Sequence, residues 1–178
     1  NLPAERVGQE IDRIGLGFLF APALNKAMKY AAKTRKELGY RTVFNMLGPI
    51  VNPAGLDYQC AGIYDGALTQ KFAEVLREVG VKHALVYHSE DGMDEISTHA
   101  RTKVSELQGG KIINYEINPK DYGFAAGDVE DYRGGEPVDN AKITRDILDG
   151  REKGVKRDIV VLNAGAAFYA ADRAASIA

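Results

Sequence analysis

The sequence predicts an α/β fold: a mainly parallel sheet with flanking helices and an antiparallel hairpin. Two observations carry most of that expectation. Tyr58–Tyr64 and His83–Tyr87 are short apolar runs separated by one helical stretch, the pattern of a βαβ unit. Arg101–Leu107 and Lys111–Ile117 flank Gln108-Gly109-Gly110, the pattern of a tight hairpin. Helical periodicity on both sides of this block supplies the flanking layers.

In chain order, Leu2–Ile14 reads as a short amphipathic helix. Pro3 suits its first turn, and Val7, Ile11 and Ile14 share one face opposite Glu5, Arg6, Gln9 and Asp12. Gly15 and Gly17 end it. Phe18-Leu19-Phe20-Ala21, closed by Pro22, is expected to be buried as a strand or packed loop. Ala23–Leu38 reads as a second helix. Ala27, Met28, Ala31 and Ala32 give it apolar contacts, and Lys26, Lys29, Lys33, Arg35 and Lys36 make it strongly basic. Leu38-Gly39 is its stop signal, with cations in the last turn where they suit the helix dipole. Leu47-Gly48-Pro49 and Asn52-Pro53 are expected to force non-helical backbone.

Beyond the first strand, Asp65 is placed to cap a helix running to Val79. Leu68, Phe72, Val75, Leu76 and Val79 form its stripe, and Gly80 its C-terminal cap. Pro119–Gly123 reads as a loop and Val138–Leu148 as a helix. Lys156–Ser176 is ambiguous: Asp158–Asn163 alone suits a buried strand, whereas the alanines from 164 to 175 favour helix.

Composition narrows the function classes. A chain of 178 residues with 45% hydrophobic and 27% charged residues can bury a substantial core. Its formal net charge of −2 argues against a general nucleic-acid binder. The single Cys60 excludes an intrachain disulfide and a multi-cysteine metal site, and its apolar surroundings suit a buried structural thiol. No long apolar run suggests a membrane span and no leader is visible, so we expect a reduced, cytoplasmic setting. His83, His88 and His99 show no triad or zinc spacing, and His83 and His88 bracket a strand as structural residues would.

Two stretches invite chemistry. The run from Thr34 to Pro53 packs Arg35, Arg41, Asn45 and Asn52 between rigid turns, a composition suited to holding a small anion. The loop after the second strand carries Glu90, Asp91, Asp94 and Glu95. In open parallel sheets, sites lie beyond the carboxyl ends of the strands. Adjacent carboxylates there, such as Asp94-Glu95, are hard oxygen ligands suited to Mg²⁺ shared with phosphate oxygens and water. From the residues alone a solvated acidic turn is the safer reading, as is a solvated basic face for the lysines.

Three ordered motifs then carry a family resemblance. Gly15-Leu-Gly-Phe-Leu-Phe-Ala-Pro22, the run from Arg35 through Arg41-Thr-Val-Phe-Asn to Leu47-Gly-Pro49 and Asn52-Pro53, and Gly92-Met-Asp-Glu-Ile-Ser97 resemble corresponding segments of the anthranilate phosphoribosyltransferases of tryptophan biosynthesis. The resemblance covers nearly the whole chain. It implies a nucleoside phosphorylase/phosphoribosyltransferase-like C-terminal α/β domain, incomplete at both ends. Residues 23–48 would contribute to the hinge and helical-domain side, and the N-terminal helical segment and glycine-rich phosphate loop would be absent. It also implies helix over Lys156–Ser176, which we adopt.

The implied reaction joins the amine of anthranilate to the anomeric carbon of phosphoribosyl pyrophosphate with loss of pyrophosphate. Asp94 and Glu95 would hold Mg²⁺, Arg35 would meet the anthranilate carboxylate, and Pro49 would line the aromatic-acid channel. Arg41 could share that binding, though bracing the Asn45 and Pro49 turns suits it better. No acid–base dyad is implied. Asn25 departs from the family, where many members carry histidine near that position. The full-length protein would be a homodimer with no nucleic-acid or membrane partner. Two other readings remain: a pyrimidine-nucleoside phosphorylase of related architecture, and a non-catalytic relative binding nucleic acid through Lys26–Arg41. The acidic net charge counts against the second.

Overall fold

A computed structural model describes residues 2–20, 37–39, 44–50, 55–124 and 128–178, without the side chains of 44 and 45. The chain divides into two compact units, Asn1–Val51 and Asn52–Ala178.

In the first unit, helix α1 spans Ala4–Ile14. Pro3 precedes it in extended conformation, and Gly15 ends it at φ 75°, donating its N–H to the Ile11 carbonyl at 2.8 Å. Positive φ suits glycine, which has no Cβ to clash. Gly17 lies so close to Val7 and Ile11 that a Cβ there would stand 2.6 Å from the Ile11 side chain. Val7 is buried, but Ile14, Leu16 and Phe18 are each more than two-thirds exposed, and Phe18 stacks on Phe20. Through Phe20 the run expected to be buried is therefore neither strand nor packed loop; Ala21 lies outside the described residues. An apolar side chain gains from burial, but its sequence does not supply a surface to cover it.

Most of the expected basic helix lies outside the described residues, which include only its helical end at Glu37–Leu38. Helix α2 spans Phe44–Ile50 and contains Pro49. Gly48-Pro49 thus does not force a non-helical backbone. Pro49 falls in the last turn, where the lost N–H affects one bond, and Gly48 before it has no Cβ to meet the ring.

The second unit is a four-stranded sheet in the order β1-β2-β3-β4: Tyr58–Gly62, His83–Ser89, Thr102–Gln108 and Lys111–Ile117. β1 and β2 are parallel, Tyr58 opposite His83 and Gly62 opposite Tyr87, as the βαβ pattern predicts. The α/β class holds, but the sheet is mixed rather than mainly parallel: β2–β3 and β3–β4 are both antiparallel. A parallel neighbour needs a crossover, usually a helix. Residues 90–101 contain none, and Glu90 N–H bonds back to the Arg101 carbonyl at 2.9 Å, so the chain returns beside itself. The β3–β4 turn is Gly109-Gly110 with φ 57° and 77°, the two positive values of a type I′ turn.

Strand alternation sorts the two faces of β2. Ala84 and Val86 point one way, toward helix α3 (Thr69–Glu78), which buries Phe72, Ala73 and Leu76. Asp65 caps the 3-10 turn leading into α3, accepting the Ala67 N–H at 2.9 Å, and Gly80 follows its end at φ 93°. Leu85 and Tyr87 point the other way, into a core with Ile96, Val104, Ile117, Leu162, Ala166 and Ala170. The last three belong to helix α5, Val155–Ala170, so the ambiguous segment is helical, though it ends earlier than expected. Helix α4, Pro137–Leu148, matches its predicted span and has no buried residue.

Candidate functional site

β2 leaves the core at Ser89 and the chain turns through Gly92 at φ 88° before rejoining β3 at Thr102. Asp91 is the hub of this loop. Its carboxylate accepts the Ser97 hydroxyl at 2.6 Å, the Met93 N–H at 3.2 Å and the Ser89 hydroxyl. Partial burial pushes this carboxyl up, but those hydrogen bonds, helped by His99, outweigh it and hold it below the usual aspartate range. Ser97 in turn accepts the N–H groups of His99 and Ala100 at 2.9 and 3.0 Å, and its own N–H donates to Thr102 Oγ1 at 3.1 Å. Thr98 Oγ1 and the Tyr132 hydroxyl meet at 2.7 Å.

Asp94 and Glu95 stand on this braced loop with exposed side chains. The end of β1 makes room for them. A Cβ on Gly62 would fall 1.4 Å from the Asp94 carbonyl oxygen, so only glycine admits the loop at its present height. The acidic pair therefore sits just past the carboxyl ends of both β1 and β2, where parallel neighbours open a crevice. The Glu95 carboxyl is pushed above the usual glutamate range, first by burial of its inner side, then by the charge and hydrogen bond of Asp94, and last by Asp91. Burial also pushes the neighbouring Tyr87 phenol up, with Cys60, Glu95 and Asp94 adding to the effect.

Among the described residues no group of three or more His, Cys, Asp and Glu side chains is placed to hold a metal. The chemistry of the donor set nevertheless fits a cation that takes only two protein ligands. Two adjacent, exposed carboxylates repelling one another suit a hard ion that completes its shell with phosphate oxygens and water.

Of the residues singled out from sequence, the structure brings together Asp94 and Glu95. Pro49 is half-buried in α2, and Arg35 and Arg41 lie outside the described residues. Asp91 organises the loop through its own hydrogen bonds. His88 Nδ1 donates to the Ile63 carbonyl at 2.9 Å, and burial pushes the Cys60 thiol up to about 11, both as structural residues would. Gly62 and Asn163 were not anticipated as parts of the site. Asn163 left one visible signal, an amide in an otherwise apolar helical run.

Comparison with known proteins agrees with this layout. The family described as "Glycosyl transferase family, a/b domain" matches residues 1–178. Anthranilate phosphoribosyltransferase of Syntrophobacter fumaroxidans is 52% identical over 174 residues, 98% of this chain and 51% of that protein. The enzyme of the same name from Methanocorpusculum labreanum is 49% identical over 178 residues, 100% of this chain and 52% of that protein. The chain thus spans about half the length of the curated relatives it matches.

Among solved structures, the Thermus thermophilus anthranilate phosphoribosyltransferase superposes with a TM-score of 0.90 at 42% identity, covering 98% of this chain and 51% of that one. The Saccharomyces cerevisiae enzyme in complex with PRPP and Mg superposes at 0.76 with 25% identity, covering 84% and 43%. Matched from its first residue to its last, the chain belongs to the glycosyl transferase family and carries that family's α/β domain.

Proposed function

We propose that this chain supplies the metal and pyrophosphate side of an anthranilate phosphoribosyltransferase. The amine nitrogen of anthranilate forms a bond to the anomeric carbon of phosphoribosyl pyrophosphate while the bond from that carbon to the pyrophosphate oxygen breaks. Pyrophosphate carries away the bonding electron pair, and the amine gives up a proton. The step asks mainly for positioning and for stabilisation of charge on the leaving group. The single observation that carries this reading is the Asp94–Glu95 pair, held by a braced loop at the ends of the parallel strands, in a chain aligned over 98% of its length with an enzyme of that name.

Asp94 and Glu95 would hold Mg²⁺, which neutralises the leaving pyrophosphate. The rest of the work falls to this chain's own residues. Asp91, Ser97 and Ser89 keep the loop closed on itself so that the two ligands need not be ordered on binding. Arg35 would pair with the planar anthranilate carboxylate, a match that guanidinium makes with two hydrogen bonds. Arg41 would brace that region, and Pro49 would line the approach of the aromatic ring.

Calorimetric titration of Mg²⁺ with pyrophosphate, into the wild type and into the Asp94→Asn/Glu95→Gln variant, tests the metal half. We expect binding heat in the wild type that disappears in the variant; equal heats would overturn it. Titration of anthranilate against wild type and Arg35→Ala tests the acceptor half. Saturable thymidine binding with none for anthranilate would favour a nucleoside phosphorylase instead.

A further inference from the structure

We propose that Asn163 is a positioning residue for the acidic pair: from α5 it holds the backbone on which Glu95 sits, and so fixes where the two carboxylates meet a cation. The inference rests on reading Asp94 and Glu95 as cation ligands.

The geometry is that of one side chain pairing with both backbone polar groups of a single residue, Ile96. Asn163 Oδ1 accepts the Ile96 N–H at 2.9 Å, and Nδ2 donates to the Ile96 carbonyl at 2.8 Å. The second Nδ2 hydrogen donates to the Ile159 carbonyl one helical turn back, at 2.9 Å. This set fixes the amide orientation, because the oxygen faces the only donor and the nitrogen faces two acceptors. Ile96 is fully buried in the core beneath the loop. Its N–H and carbonyl belong to no strand, so their pairing comes from the side chain of Asn163. Removing it would leave both groups without their partner, a state that proteins avoid.

The anchor itself is rigid. Leu162, next to Asn163, and Ala166 and Ala170 beyond it are buried against Leu85, Tyr87 and Val104. Past them, the Tyr169 hydroxyl donates to Glu106 Oε1 at 2.8 Å, and Asp172 Oδ1 accepts from His83 Nδ1 at 2.9 Å. The helix is thus tied to β2 and β3 at one end while Asn163 grips the loop near the other. Asn163 and Glu95 also line one cavity, with Met93, Tyr132 and Lys156. No common substitute reproduces the grip. Aspartate lacks the donors, glutamine is longer by one methylene, and leucine has the size without the polarity.

The probe is Mn²⁺ with pyrophosphate, read by the loss of free-ion signal in electron paramagnetic resonance. We expect Asn163→Leu and Asn163→Ala to bind about 10- to 100-fold more weakly than wild type, the usual effect of losing a residue that orients a metal ligand. Leu162→Val, one position away and facing the core, should lower thermal stability and leave the affinity unchanged, which separates positioning from general loosening. Hydrogen exchange at the Ile96 amide should accelerate in Asn163→Leu; unchanged protection there would overturn the grip whatever the metal does. Asn163→Leu binding as tightly as wild type while Glu95→Gln has lost binding would overturn the inference alone. Glu95→Gln binding as tightly as wild type would overturn the reading of the acidic pair.

Discussion

The two ends of β2 carry two groups of acids, and the two are built on opposite principles. At its start, His83 is almost fully buried between Glu106 and Asp172, with Nε2 3.0 Å from one carboxylate and Nδ1 2.9 Å from the other. The Tyr169 hydroxyl also donates to Glu106, and that bond is the main reason its own phenol is pushed up to about 12. Every acid there has a donor. At the far end, Asp94 and Glu95 crowd one another on an exposed loop, and burial, then the charge and hydrogen bond of Asp94, make Glu95 hold its proton more tightly. A cluster closed by its own donors is a structural tie. Two crowded carboxyls on an exposed loop suit a ligand that brings positive charge to them.

The sharpest way to break this comparison is to damage the closed cluster. His83→Ala would leave Glu106 buried, 2% exposed, without its imidazole partner. Leaving a buried acid without one of its hydrogen-bond partners destabilises by about 1–3 kcal/mol, and by more where the group is charged. We expect urea unfolding to show a loss of that size, with Mn²⁺–pyrophosphate affinity unchanged in whatever fraction remains folded. A loss below about 1 kcal/mol would mean that the cluster is not the tie we describe.

A smaller effect of a different kind is expected at Gly62. Gly62→Ala forces a methyl into the space held by the Asp94 carbonyl. Overpacking of this kind destabilises by about 1–3 kcal/mol, and here the strain falls on the acidic loop rather than on the core. Metal affinity should therefore fall along with stability, which His83→Ala should not produce. A Gly62→Ala protein with normal affinity would show that the loop can move away without losing its ligands.

Much of this architecture was legible in the sequence, and the exceptions share a cause. The hairpin was readable because Gly109-Gly110 supplies two positive φ values with nothing else required. The βαβ unit was readable because its apolar runs and helical stripe are local patterns. The direction of β3 was not, since residues 90–101 carry no periodicity and reveal their return path only through bonds such as Glu90 to Arg101. Asp94 and Glu95 were found as a motif, but what holds them was not. Ile96 and Asn163 are 67 residues apart, and Gly62 meets Asp94 across a strand boundary. Such contacts are decided by packing, and a sequence pattern marks at most the odd residue out. The apolar run at Phe18–Phe20 fails in the other direction: its composition demanded burial, and no covering surface followed.

The smallest expected effect separates the two acid groups by sign. Glu95 holds its proton to higher pH in the folded chain than the ordinary value of 4.5. Ionising it therefore opposes folding, and the favourable contribution of its neutral form is present at low pH and fades as pH rises through the window between the ordinary and the raised value. Glu95→Gln removes that opposition. Because the side chain is exposed, the gain is screened, and we expect less than about 1 kcal/mol at neutral pH, shrinking to nothing below the ordinary glutamate range. Metal binding should be abolished in the same variant. In the wild type, affinity for Mn²⁺ with pyrophosphate should fall as pH drops through the raised value, because the cation competes with the proton for the same oxygens. A charge-removing substitution that slightly stabilises the fold and eliminates binding is what a site of crowded acidic ligands gives. The same kind of change at Glu106, where the acid already has its donors, should destabilise the fold and leave binding alone.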